Sequence, residues 1–122
     1  MPRLLIVDDE QGILDALGDL FAGQDYEVDT ASSGPEALEK LEHGPPDLML
    51  LDILMPGMDG LETLRRAQEI RPGLGVIMVT AVHDEERAKE ALELGAFDYV
   101  TKPLDLDYLK TCVAVKSALV AG

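Results

Sequence analysis

Three short runs of unbroken apolar residues, Leu4 to Val7, Leu48 to Leu51 and Val76 to Val79, constrain this chain more than any other feature. A strand whose successive side chains are all apolar has no wet face, so it must be covered on both sides. Two further runs, Glu27-Val28-Asp29-Thr30 and Phe97-Asp98-Tyr99-Val100, mix in charge. The pattern predicts strands over 3–8, 27–31, 47–52, 75–80 and 97–100, with helices filling the gaps. Strict alternation of this kind calls for parallel strands joined by crossover helices. Strands one, three and four then take the centre and the charged strands two and five the edges. That selects the order 2-1-3-4-5, a doubly wound (βα)5 sheet of the α/β class.

The intervening stretches carry the helical period. Ile13, Leu14, Leu17, Leu20 and Phe21 form one stripe, and Ala37, Leu38 and Leu41 another. Ser33 with Glu36 has capping-box spacing, and Asp59 with Glu62 resembles it. The fourth helix, over 84–94, offers only Ala88, Ala91 and Leu92 to the core, so it is expected to bury least and to move most. With 122 residues, 47% of them hydrophobic, the chain reads as one domain over 1–122, with no output domain following.

The charge balance excludes some partners. Asp and Glu number 24 against 10 Lys and Arg, and a net charge of -14 argues against direct binding to nucleic acid or an anionic membrane. No apolar stretch approaches the roughly 20 residues of a membrane helix, and no signal-peptide pattern opens the chain. A cytoplasmic location is expected. Cys112 is the single cysteine, placed in a predicted helix as a small core residue, which leaves no internal disulfide. His43 and His83 stand apart in loop-like sequence, lack the paired spacing of a zinc site, and read as surface histidines.

In the order 2-1-3-4-5, the carboxyl ends of strands one, three, four and five lie side by side, and open α/β sheets bind ligands there. The residues at that edge are Asp8, Asp9, Asp52, Thr80 and Lys102. Two like charges about 4 Å apart repel by roughly 4 kcal/mol at an effective dielectric of 20, so three carboxylates together call for a cation. Oxygen donors alone suit Mg²⁺, or Mn²⁺ in its place, with one or two carboxylates as ligands and room for a phosphate oxygen. Asp8, Asp9 and Asp52 are the metal candidates, with the backbone carbonyl near Leu54 a further ligand. An aspartate can also attack phosphorus to give an aspartyl phosphate. The central Asp52 is the best acceptor, and the Lys102 ammonium and Thr80 hydroxyl are placed to stabilise the transferred group.

Taken in order, Asp8-Asp9, the run Asp52-Ile53-Leu54-Met55-Pro56-Gly57-Met58-Asp59-Gly60, Thr80-Ala81, and Tyr99-Val100-Thr101-Lys102-Pro103 resemble the receiver domain of bacterial two-component response regulators. The resemblance spans essentially the whole chain and implies a flavodoxin-like fold. It implies that Asp52 accepts phosphate from a sensor histidine kinase or phosphotransfer protein while Asp8 and Asp9 bind Mg²⁺. It also implies that Thr80 and Tyr99 form a switch that remodels the face of helix four, strand five and helix five. In the family, the bond matching Lys102-Pro103 is commonly cis. Leu54 and Val82 match positions flanking the attacking-water route; both are apolar, so slow self-dephosphorylation is expected. Gly95 to Asp107 look most like receivers of nitrogen-regulator-class transcriptional activators.

The implied protein is a phosphoacceptor switch that assists its own phosphorylation and dephosphorylation, and so not an enzyme in the usual sense. Its partner is a downstream effector or a separated output domain, and its state a monomer or weak dimer. The fifth helix lacks the arginine-rich pattern of receivers that dimerise through charged pairs. Three other readings compete, the plainest being a purely structural α/β protein, which leaves the five convergent residues unexplained. A phosphatase of the haloacid-dehalogenase type needs a second aspartate two residues past the first, where this chain has Leu54. A degenerate receiver acting as a phosphate-independent binding module predicts loss of acidic or lysine positions, and all are present.

Overall fold

The computed structural model describes residues 1–81 and 83–121. Five strands alternate with five helices: β1 (Arg3–Val7), α1 (Gln11–Ala22), β2 (Glu27–Ala31), α2 (Gly34–His43), β3 (Leu48–Leu51), α3 (Gly60–Ile70), β4 (Gly75–Thr80), α4 (Glu85–Glu93), β5 (Asp98–Thr101) and α5 (Leu106–Ala121). All neighbouring strands pair in parallel, and the sheet order is β2-β1-β3-β4-β5. The charged strands therefore do occupy the edges. Register aligns Val7 with both Ala31 and Leu51, Leu51 with Met78, and Thr80 with Thr101, so the functional ends finish on one rim.

β1 and β3 are shorter than the apolar pattern predicts, and β5 runs one residue later. Asp8 and Asp52 lie just beyond their strands, yet their amides still donate to Ala31 and Val7 carbonyls at 3.1 Å each. The ladder's last bonds thus fix the backbone of both acids. At β5, Phe97 N–H donates to Val76 O at 2.7 Å, ahead of the strand proper.

The alternation of side chains along a strand divides the interior in two. Leu5, Val7, Met49, Leu51, Val76 and Met78 pack on one side with Ala37, Leu41, Leu64 and Ala91. Leu4, Ile6, Leu48, Leu50, Ile77 and Val79 pack on the other with Leu14, Leu17, Phe21, Leu109 and Val113. Cys112 belongs to the second core, as its helical position predicts, and its thiol also donates to Asp98 Oδ2 at 3.3 Å.

Helix starts depart from the expected boxes. Ser33 Oγ accepts from Glu36 N–H at 3.2 Å, but Glu36 Oε1 returns to the amide of Ser32, at 2.7 Å, and not to that of Ser33. Asp59 Oδ1 accepts from Leu61 N–H at 2.6 Å, while Glu62 turns away to pair with Arg65 and Arg66. Two basic partners a turn ahead outcompete one backbone amide, and their hydrogen bonds pull the Glu62 carboxyl down to about 2. α4 buries Ala91 alone where α3 buries five residues, so little apolar area fixes it.

Gly60 shapes the site directly. Its amide donates to Ile53 O at 2.8 Å, and a Cβ there would lie 2.1 Å from Asp52 O and 2.5 Å from Ile53 Cα. Only a residue without a side chain lets α3 begin against the backbone of Asp52.

Candidate functional site

The five residues expected at the sheet edge converge. Asp8 and Asp52 follow β1 and β3, Thr80 ends β4, and Lys102 follows β5. Asp8 and Asp52 are 2% and 4% exposed and Thr80 is fully buried, whereas Asp9 lies open to solvent. Carboxylate oxygens of Asp8, Asp9 and Asp52 all lie within 4.8 Å of one another. Three hard oxygen donors at that separation, one of them wet, fit a magnesium-type cation that keeps part of its water. Such an ion supplies charge neutralisation and polarisation of a phosphoryl oxygen when bound.

Lys102 is the protein's own counter-charge. Its Nζ lies 2.8 Å from Asp8 Oδ2, 3.6 Å from Asp52 Oδ2 and 3.7 Å from Glu10 Oε1. Burial works to lower the ammonium's pKa, but the Asp8 hydrogen bond and the charges of Asp52, Asp8 and Glu10 outweigh it and hold it above its ordinary value. The Asp52 carboxyl is likewise raised. Burial is the main cause and the Asp8 charge adds to it, against a hydrogen bond from Thr80 and the charge of Lys102. An acid whose ionised form is disfavoured in this way gains from any cation or electrophile that arrives.

Backbone amides complete the cradle: Glu10 N–H donates to Asp8 Oδ1 at 3.0 Å, and Leu54 N–H to Asp52 Oδ1 at 3.3 Å. The Leu54 side chain itself is 60% exposed. Tyr99 is half-buried beside α4 and packs against the first core, its hydroxyl pKa raised by burial and then by the charge of Asp84. The Lys102-Pro103 bond is cis. Val82, expected to flank the water route, lies outside the described residues.

Sequence reasoning missed three participants. Glu10, which follows the acid pair, shares Lys102. Arg87 of α4 reaches Asp59 Oδ2 at 3.1 Å, joining α4 to the loop after β3. His83, read as an isolated surface residue, is exposed but hydrogen-bonds the Lys102 carbonyl at 3.1 Å. Only Glu10 carried a signal, its adjacency to two acids.

The fold and its rim are those of a doubly wound α/β domain that carries an acid trio, a hydroxyl and a lysine at the carboxyl edge of its sheet. Residues 4–114 match the response regulator receiver domain family, and the chain belongs to it. It is 44% identical over 111 residues to regulatory protein AtoC of Escherichia coli (strain K12), covering 91% of this chain and 24% of that protein. It is 39% identical to sporulation initiation phosphotransferase F of Bacillus subtilis (strain 168), covering 91% of this chain and 90% of that protein. Kinship with nitrogen-regulator-class activators, expected from residues 95–107, is found here too. Among solved structures, a CheY-like response regulator receiver domain protein from Methanospirillum hungatei JF-1 superposes with a TM-score of 0.95 at 36% identity, covering 99% of this chain and 97% of that one. The chain thus spans about a quarter of AtoC, but nearly all of the two shorter proteins. Among the described residues, no helix is long and apolar enough to cross a membrane.

Proposed function

We propose that Asp52 is the phosphoacceptor of this receiver, with Asp8, Asp9 and Asp52 holding Mg²⁺ or Mn²⁺ and the Leu54 carbonyl as a further ligand. The observation that carries this reading is the convergence of the acid trio with Lys102 and Thr80 on one rim. An Asp52 carboxylate oxygen attacks phosphorus, and the bond to the donor's imidazole nitrogen or acyl oxygen breaks, the leaving group keeping the electron pair. Lys102 and Thr80 then bind phosphoryl oxygens.

The donor is a sensor histidine kinase or phosphotransfer protein, and the recipient a downstream effector or a separated output domain. Thr80 and Tyr99 carry the response to the α4, β5 and α5 face. Reversing a two-state balance from 1:99 to 99:1 takes about 5.5 kcal/mol, and two charge-assisted hydrogen bonds to phosphate at roughly 1.5–3 kcal/mol each approach it. The receiver acts as a single domain over 1–122, monomeric or weakly dimeric, in the cytoplasm and without direct contact to nucleic acid. It is a switch that aids its own phosphorylation and dephosphorylation. The apolar Leu54 side chain orients no water, which favours a long-lived phosphoryl group.

Incubation with acetyl phosphate and Mg²⁺ followed by intact mass tests the assignment. One hydroxylamine-labile phosphate is expected on wild type and none on Asp52→Asn. An unmodified wild type, or a variant that retains the phosphate, refutes it.

A further inference from the structure

We propose that His83 is a positioning residue for Lys102, a role that rests on the phosphoacceptor reading above. His83 lies in the loop after β4, three residues beyond Thr80, and its Nε2 is 3.1 Å from the main-chain oxygen of Lys102. A carbonyl only accepts, so Nε2 carries the proton, and it does so in the neutral ring as in the charged one. The strap therefore holds whatever the charge of the imidazole.

Its leverage comes from where the rest of Lys102 is tied. The Lys102 amide donates to Thr80 O at 2.8 Å, so both main-chain polar groups of the lysine go to β4 and the loop that follows it. Pro103, next in the chain, has no N–H to offer. The ammonium end meanwhile reaches Asp8 and Asp52. Thr80 and Lys102, the two side chains assigned to phosphoryl oxygens, thus ride on one hydrogen-bonded unit closed by the His83 ring. His83 also lines a surface hollow with Asp84, Ala88, Tyr99 and Thr101, so the strap crosses the flank beside the switch tyrosine. Losing it frees the lysine's carbonyl side while leaving its amide anchored. The ammonium then loses alignment, and small misplacements of a charge-stabilising group act on rate far more than on stability.

The test follows phosphorylation of wild type, His83→Ala and His83→Gln by acetyl phosphate with Mg²⁺, using time-resolved intact mass over a range of donor concentrations. His83→Ala is expected to lower the maximal rate about fivefold, the equivalent of one lost hydrogen bond, with half-saturation changed by less than about twofold. His83→Gln, which keeps a side-chain N–H donor, is expected to recover most of the rate. A wild-type maximal rate in His83→Ala, equal slowing in both variants, or a change confined to half-saturation would overturn the proposal. In each of these the wild type is still phosphorylated on Asp52. A wild type that takes no phosphate at all overturns the phosphoacceptor reading instead, and this proposal with it.

Discussion

Replacing Lys102 by methionine isolates the ammonium from the stem that carries it. The structure gives that ammonium two carboxylate neighbours with side chains only 3% and 5% exposed, Asp8 at 2.8 Å and Asp52 at 3.6 Å. Removing one partner of a buried pair costs about 3–5 kcal/mol. The wet Asp9 at the mouth of the site places Lys102→Met at the lower end, about 3 kcal/mol in a metal-free buffer. For a domain of this size that is a fall in midpoint of about 12 °C. The same reasoning fixes what Mg²⁺ does. If the ammonium and the metal serve as alternative counter-charges, removing the first strengthens binding of the second, and linkage makes the effect reciprocal. Recovery of even half of the loss, about 1.4 kcal/mol, means tenfold tighter Mg²⁺. Thermal melts by circular dichroism, with chelator and across a Mg²⁺ titration, measure both quantities. A deficit identical with and without saturating Mg²⁺, or an unchanged Mg²⁺ affinity, would refute the counter-charge argument.

Other expectations rest on separate features. Burial raises the Asp52 carboxyl, so its contribution favours the fold at pH below the ordinary carboxylate range and is lost as pH rises through the raised value. Asp52→Asn should therefore melt higher than wild type near neutrality without metal, and that advantage should vanish in acid; an advantage that grows in acid contradicts the sign. Gly60→Ala forces a Cβ to 2.1 Å from Asp52 O, and denaturant titration should show a loss of about 3 kcal/mol or more. Arg87→Met breaks an exposed pair with Asp59 and should cost under about 1 kcal/mol globally. Its signature is faster hydrogen exchange confined to α4, and unchanged exchange there would dismiss the tether.

The sheet order was legible because the covering of a strand's two faces is written in its own residues: Leu48 to Leu51 admit only a central place, and Asp29 only an edge. Convergence of Asp8, Asp52, Thr80 and Lys102 followed from that order. Contacts decided by side-chain reach were not legible. The Arg87 pair with Asp59 spans 28 positions and the His83 bond to Lys102 spans 19, and neither residue has a periodic or adjacent signal. Glu36 and Glu62 have the right spacing for capping boxes, but each found another partner at closer reach. Local spacing states which bonds are available, and competition among neighbours decides which form.

The sheet that splits the interior also decouples its two halves mechanically. A volume change at Leu64 or Met78 is felt among α2, α3 and α4, whereas one at Leu17 or Val113 is felt beneath α1 and α5. Backbone ladders, not interlocked side chains, stand between them. Substitutions on opposite faces of the sheet should therefore add independently in their effect on folding, so the α4 flank can be repacked without loosening the α1 flank.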